Sequence, residues 1–254
     1  MEERHPLILV SNDDGVEAKG IRELVKAVRS IGDVVVVAPD SARSGSACAL
    51  TTTLPVHYKL VRQEPGLKVY KCSGTPVDCV KMALHNILER KPDLVLSGIN
   101  HGDNAAINVH YSGTMGVVLE GCFNGIASIG FSLDSHNADA NFEPLKPFII
   151  DITLKALRNG INKNTCLNVN FPNVGEIKGV KVTTMNHGHW TQEWEACPRT
   201  GDNNYYWLTG HFVSDEPDNE KSDRCAMNNG YAAITPIKID MTDYDMVDRM
   251  KEWF

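Results

Sequence analysis

A chain of 254 residues with an apolar fraction of 42% holds enough material for one large α/β domain with a real core. Its formal charge of −7 argues against the basic face of a general nucleic-acid-backbone binder, and no apolar run nears the roughly 20 residues of a membrane span. Seven cysteines without a Cys-x-x-Cys pair, and a start that lacks a signal-like apolar region, lead to the expectation of reduced thiols and a cytoplasmic protein.

The first half alternates two periodicities. The apolar run at 7–11 reads as a buried strand that ends in Asn12-Asp13-Asp14-Gly15. Ile21, Leu24, Val25 and Val28 then follow helical spacing, and the β-branched run at 33–38 before Pro39 reads as a central parallel strand. A hairpin is expected over 56–62 and 67–73 around Glu64-Pro65-Gly66. Thr75-Pro76-Val77-Asp78 opens a helix expected to reach about residue 90, with Thr75 as N-cap and Pro76 at the first helical position. A buried strand at 94–97 leads into a glycine- and asparagine-rich loop over 98–111; a helix over about 114–124 and a strand at 126–132 follow. This alternation predicts a doubly wound, mostly parallel three-layer sheet with helices on both faces.

The second half begins with a helix from about 144 to 157 and strands at 167–171 and 180–182. Residues 186–229 are polar, rich in His, Trp, Asn and Tyr, and read as an extended β excursion of the kind used for an oligomer contact or a lid. A strand over 231–239 returns, and Thr242 caps a terminal helix with Asp243 and Asp245 in its first turn. The whole is one domain over 1–254, with a core in 1–143 and a C-terminal part in 144–254.

Ligands bind beyond the carboxyl ends of the strands in such a sheet. Three strand ends here carry unusual polar residues. The first offers Asp13 and Asp14, the second Asp40-Ser41-Ala42-Arg43-Ser44-Gly45, the third Asn100-His101-Gly102-Asp103-Asn104. Adjacent carboxylates share a ligand only if the backbone turns, which Gly15 permits, and a cation relieves their repulsion. Converging carboxylate, hydroxyl and amide oxygens suit Mg²⁺ or Mn²⁺ rather than zinc. Ser112-Gly113-Thr114 precedes a helix; its hydroxyls and exposed amides suit a phosphate, although ordinary N-capping explains the same residues. Arg43 is a candidate for substrate charge, since a guanidinium fork matches phosphate. His101 and His110 lie in the site loop, whereas His187 and His189 read as a surface pair.

The combination resembles the SurE family of survival-protein nucleotidases. The matching stretches are ILVSNDDGV (8–16), VVAPDSARSG (36–45), GTPVDCV (74–80), SGINHGDN (97–104) and YSGTMGVVLEG (111–121), continued by PRTGDNNYYW (198–207) and NGYAAITPIKIDMT (229–242). The resemblance implies a metal-dependent phosphatase of nucleoside monophosphates with a Rossmann-like core. It also implies a protruding C-terminal β-hairpin, placed here at about 186–229, that joins dimers or tetramers. It puts one divalent cation per subunit on Asp13, Asp14, Ser44 and Asn100, and the phosphate on Asn104 and Ser112, assisted by Thr114; the helix-start reading adds Gly113 to the phosphate contacts. Many members carry an aspartate where this chain has Asn108, and the loop at 133–143 has no assignable task. Two other readings compete: a phosphatase with an aspartyl-phosphate intermediate, and a nucleotide-binding oligomer without catalysis. Aspartyl-phosphate enzymes usually space their carboxylates as Asp-x-Asp, unlike Asp13-Asp14, and no Gly-x-Gly-x-x-Gly follows the first strand to mark a dinucleotide site.

Overall fold

The structure, a computed structural model, describes residues 5–197 and 204–254. β1 (Leu7–Ser11) is buried along its length, α1 (Lys19–Val28) buries Ile21, Leu24, Ala27 and Val28 as one stripe, and β2 (Asp33–Pro39) is buried after its first residue. β3 (Tyr58–Glu64) and β4 (Leu67–Cys72) form the expected hairpin, and β4 pairs parallel with β2. α2 (Pro76–Met82) opens on a capping box between Thr75 and Asp78. It passes into a π-helical turn at Ala83–Ile87 and ends there rather than at 90, with Leu88 extended. Pro92 disfavours helical backbone at Lys91 and so bars a helix from resuming before the next strand.

β5 (Leu94–His101) runs past the expected 94–97 into what the sequence presents as a loop. The glycine and asparagine content hides this, because a register shift between Ser97 and Asn100 breaks the regular alternation. A 3₁₀ turn at Ala106–His110 and α3 (Gly113–Phe123) follow, then β6 (Ser128–Leu133), which begins later than 126. A 3₁₀ turn leads into α4 (Lys146–Asn159), followed by β7 (Thr165–Phe171) and β8 (Val180–Val182).

The polar region is an arm. β9 (Gly188–Thr191), β10 (Trp194–Ala196), β11 (Tyr206–Leu208) and β12 (His211–Ser214) pair antiparallel as β9 with β12 and β10 with β11, so the two ladders are nested along one protruding hairpin. The first part of PRTGDNNYYW, residues 198–203, lies outside the described residues. α5 (Asp223–Asn228), capped by Ser222, was not anticipated in this stretch. β13 (Ala232–Lys238) returns to the sheet, and α6 (Tyr244–Met250) is capped by Asp243 instead of Thr242: the Asp243 side chain accepts the Met246 N–H.

The central sheet has nine strands in the order β3-β4-β2-β1-β5-β6-β7-β13-β8. Only the β3–β4 and β7–β13 pairs within it are antiparallel. α1 and α4 cover one face, packing on Ile8, Val10, Leu96, Phe131 and Phe171; α2 and α3 cover the other, on Leu9, Val37 and Val95. This is the three-layer Rossmann-like architecture the alternation predicts, and it places the carboxyl ends of β1, β5, β6 and β7 side by side.

Candidate active site

The turn after β1 is locked by Asn12. Its side-chain amide donates to Gly15 O at 3.0 Å and its carbonyl oxygen accepts the Gly15 N–H at 3.2 Å. Gly15 has φ of +100°, a backbone state that side chains resist. The bend holds Asp13 and Asp14 near enough to repel. Asp13 is almost fully buried, and its carboxyl is pushed up to about 6 by burial; the Thr114 hydrogen bond offsets part of this and the Asp14 charge adds to it. Asp14 is half-buried and also raised by burial, against the opposing effects of the His101 N–H and of His101 and His136. Its Oδ2 accepts that N–H at 3.4 Å.

The other strand ends close over this pair. The Arg43 N–H donates to Asp13 O at 2.7 Å and so pins the loop after β2 across the end of β1. Ser44 on that loop is exposed and faces a cleft of about 660 Å³, together with Asp13, Asn100, Asn104 and Ser112. The register shift in β5 re-aims Asn100; its amide nitrogen donates to Gly102 O at 2.9 Å, and among the described residues its oxygen remains available to a ligand. Asn104 is held from three sides. Its N–H donates to Asn170 Oδ1 and its Nδ2 to Ser132 Oγ, while Asn168 Nδ2 donates to its carbonyl, each at 2.7 Å. Ser112 is the N-cap of α3, and its Oγ accepts the Met115 N–H at 3.0 Å. As an acceptor there, it keeps its own proton to donate into the cleft.

Three of the expected site residues sit differently. Thr114 is fully buried, and its hydroxyl donates to Asp13 Oδ1 at 2.6 Å, so it braces the carboxylate from behind. Gly113 packs on the same group: a Cβ there would lie 2.6 Å from Asp13 Cβ and 2.7 Å from Ser46 Oγ. The Arg43 guanidinium is exposed and donates to Ser73 O at 3.2 Å, away from the residues that line the cleft.

Sequence reasoning missed several contributors. The Ser46 hydroxyl is buried close to Asp13 with no hydrogen-bond partner among the described residues. His136, from the loop that had no assigned task, packs against Gly102 and lines the cleft. Asn168 and Asn170 alternate on one face of a buried strand, and two buried amides at spacing two were the legible signal. Trp190, Glu193, Leu208 and Thr209 bring the base of the arm to the same cleft. His189 pairs with Asp215 at 3.0 Å on the surface. Among the described residues no three His, Cys, Asp or Glu side chains group as a metal site. A cation in the cleft would therefore rest on two carboxylates and neutral oxygens.

Residues 8–192 match the family described as Survival protein SurE. The chain is 59% identical over 253 residues to the 5′-nucleotidase SurE of Bacteroides fragilis, an alignment that covers 100% of this chain and 99% of the relative. It is 60% identical over 250 residues to the 5′-nucleotidase SurE of Bacteroides thetaiotaomicron, covering 98% and 96% respectively. The crystal structure of the SurE protein from Aquifex aeolicus shares the fold with a TM-score of 0.84 at 37% identity, covering 98% of this chain and 99% of that one.

Proposed function

The chain belongs to the SurE family and is a 5′-nucleotidase, and we propose that the cleft at the ends of β1, β2 and β5 carries out the hydrolysis. The observation that carries this reading is the convergence of Asp13, Ser44, Asn100, Asn104 and Ser112 on one cleft, with Asp14 beside Asp13. Members of the family depend on a metal. The donor set here fits a hard divalent cation: every donor is oxygen, and among the described residues the Asn100 oxygen is available and the two mutually repelling carboxylates have no lysine or arginine among their charge partners. Asp13, Asp14, Ser44 and Asn100 are the residues we assign to it, one Mg²⁺ or Mn²⁺ per subunit. Once bound, such an ion supplies Lewis-acid polarisation of the phosphoryl group and a more acidic water.

The chain's own residues do the rest. Ser112 donates its hydroxyl proton to a phosphoryl oxygen, and the second N–H of the Asn104 amide donates to another. The Asn168–Asn170–Ser132 set fixes Asn104 before substrate arrives, so no reorganisation is needed as charge develops. Asp14 is the more open of the two carboxylates, and we assign it to receive a proton from the attacking water. Thr114 and Gly113 serve by holding Asp13.

The arm is our candidate for dimer or tetramer assembly, because Trp194, Tyr206, Trp207 and Leu208 stand exposed along it. All seven cysteines are free, which supports a reducing, cytoplasmic setting, and no helix among the described residues is long and apolar enough to cross a membrane. The net charge of −7 supports a mononucleotide substrate rather than a nucleic-acid duplex.

Phosphate release from a panel of nucleoside 5′- and 3′-monophosphates and polyphosphate, with Mn²⁺, with Mg²⁺ and with EDTA, tests this function. Release from the 5′-monophosphates that EDTA abolishes is the expected result. Binding of nucleotides without release would support the non-catalytic reading instead.

A further inference from the structure

The cleft has two kinds of wall. The strand ends supply the polar one described above. The base of the arm supplies the other, through Trp190, Leu208 and Thr209, with Glu193 beside them. A phosphate has little reason to sit on this second wall, where Glu193 adds negative charge and, among the described residues, no lysine or arginine lines the cleft. A flat, weakly polar group does.

The indole of Trp190 is unusually well fixed for a residue on a protruding arm. Its Nε1–H donates to Asn108 Oδ1 at 2.9 Å, and the Asn108 amide in turn donates to Asp103 Oδ1 at 3.4 Å. The neutral amide serves both neighbours, accepting from the indole while donating to the carboxylate, which an ionised aspartate at 108 could not do. Asp103 also meets the Arg224 guanidinium at 2.9 Å. That guanidinium lies 5.0 Å over the ring of Phe212, which is the cross-strand partner of Trp190. A closed circuit thus runs from the site loop through Asn108 to Trp190, across the arm to Phe212, and back through Arg224 to Asp103. Gly188 completes it by letting the Phe212 ring approach: a Cβ there would lie 2.4 Å from Phe212 Cζ.

We infer that Trp190 is the platform on which the nucleobase of the substrate stacks, with Asn108 fixing the plane of the indole. The inference rests on the nucleotidase reading and adds to it the residue that separates a nucleotide from a phosphorylated sugar. A cleft of about 660 Å³ falls within the usual size for small-ligand sites and can take a whole mononucleotide. A preoriented aromatic face binds any base at low entropic cost, so it favours nucleotides as a class without selecting one base strongly.

The test compares kcat/KM for adenosine 5′-monophosphate with that for ribose 5-phosphate, which presents the same phosphoester without a base. Trp190→Ala is expected to lower the ratio of the two about tenfold or more, through KM for the nucleotide. Trp190→Phe should recover most of the ratio by restoring a face. Asn108→Ala keeps the indole but frees its orientation, and should lower the ratio a few-fold; it also decides the matter if Trp190→Ala does not fold. Calorimetric binding of adenosine, which has no phosphate, should weaken in parallel. A ratio unchanged in Trp190→Ala and Asn108→Ala, including the case in which both substrates slow equally, overturns the inference and leaves the nucleotidase reading standing. A wild-type protein that hydrolyses neither substrate overturns the nucleotidase reading itself.

Discussion

The hydroxyl of Thr114 donates to Asp13 Oδ1 across 2.6 Å, and so ties the first turn of α3 to the end of β1. A buried carboxylate needs such donors, because an ionised group that leaves water without partners costs several kcal/mol. Hydrogen bonds to charged groups contribute about 1.5–3 kcal/mol. Thr114→Val keeps the shape of the side chain and removes the donor. It should lower phosphate release about tenfold and raise the metal concentration needed for half-maximal rate, whereas Thr114→Ser should stay near wild type.

Gly113→Ala probes the same carboxylate from the other side. The added Cβ would lie 2.6 Å from Asp13 Cβ and 2.9 Å from its Oδ2, so Asp13 has to move. Alanine is otherwise a better helix former than glycine. We expect turnover to fall more than tenfold while the melting temperature stays within a few degrees, measured by phosphate assay and thermal unfolding of one preparation.

The raised Asp13 carboxyl makes stability depend on pH in a stated direction. Its value moves from 3.8 to about 6 in the fold, chiefly through burial. A group raised in this way favours the folded state when it is protonated. That stability is fully present below the ordinary value and is lost as pH rises through about 6. At about 1.4 kcal/mol per pKa unit, the effect is on the order of 3 kcal/mol at most. A cation bound to the ionised pair offsets the loss. The rise in melting temperature on adding Mg²⁺ or Mn²⁺ should therefore be larger at about pH 7.5 than at about pH 5. Asp13→Asn should melt higher than wild type at about pH 7.5 without metal, and should lose most of the metal-induced rise.

Asn170 tests the support of the phosphate contact. It is fully buried, accepts the Asn104 N–H and donates to Asn168 Oδ1. Asn170→Ala leaves two buried polar groups unpaired, at roughly 1–3 kcal/mol each. Thermal unfolding should fall by several degrees, and kcat should drop more steeply than KM rises, since Asn104 acts on charge that grows in the transition state.

How far the sequence reveals this depends on the kind of signal. Val34–Val37 and Leu94–Leu96 are so uniformly apolar that central parallel strands were the natural reading, and the sheet follows from their alternation with helices such as α1. Asp13 and Asp14 were legible because adjacent carboxylates at a strand end need a reason. The far end of β5 was not, because a register shift and three glycine or asparagine residues over 98–102 look like loop. The roles of Thr114 and Gly113 depend on where α3 docks, which no local pattern encodes. His136 and Trp190 reach the cleft only through the tertiary arrangement of a loop and an arm.

The central claim is that Asp13 and Asp14 form the metal-holding heart of a hydrolytic site. Phosphate release from adenosine 5′-monophosphate, measured across a full Mn²⁺ titration for wild type and Asp13→Asn, tests it most directly. The account predicts metal-dependent turnover in wild type, and in a folded Asp13→Asn protein no more than about a hundredth of that rate at any Mn²⁺ concentration, a loss in the range seen when a main electrostatic contributor to a site is removed. Full turnover by metal-saturated Asp13→Asn would contradict it.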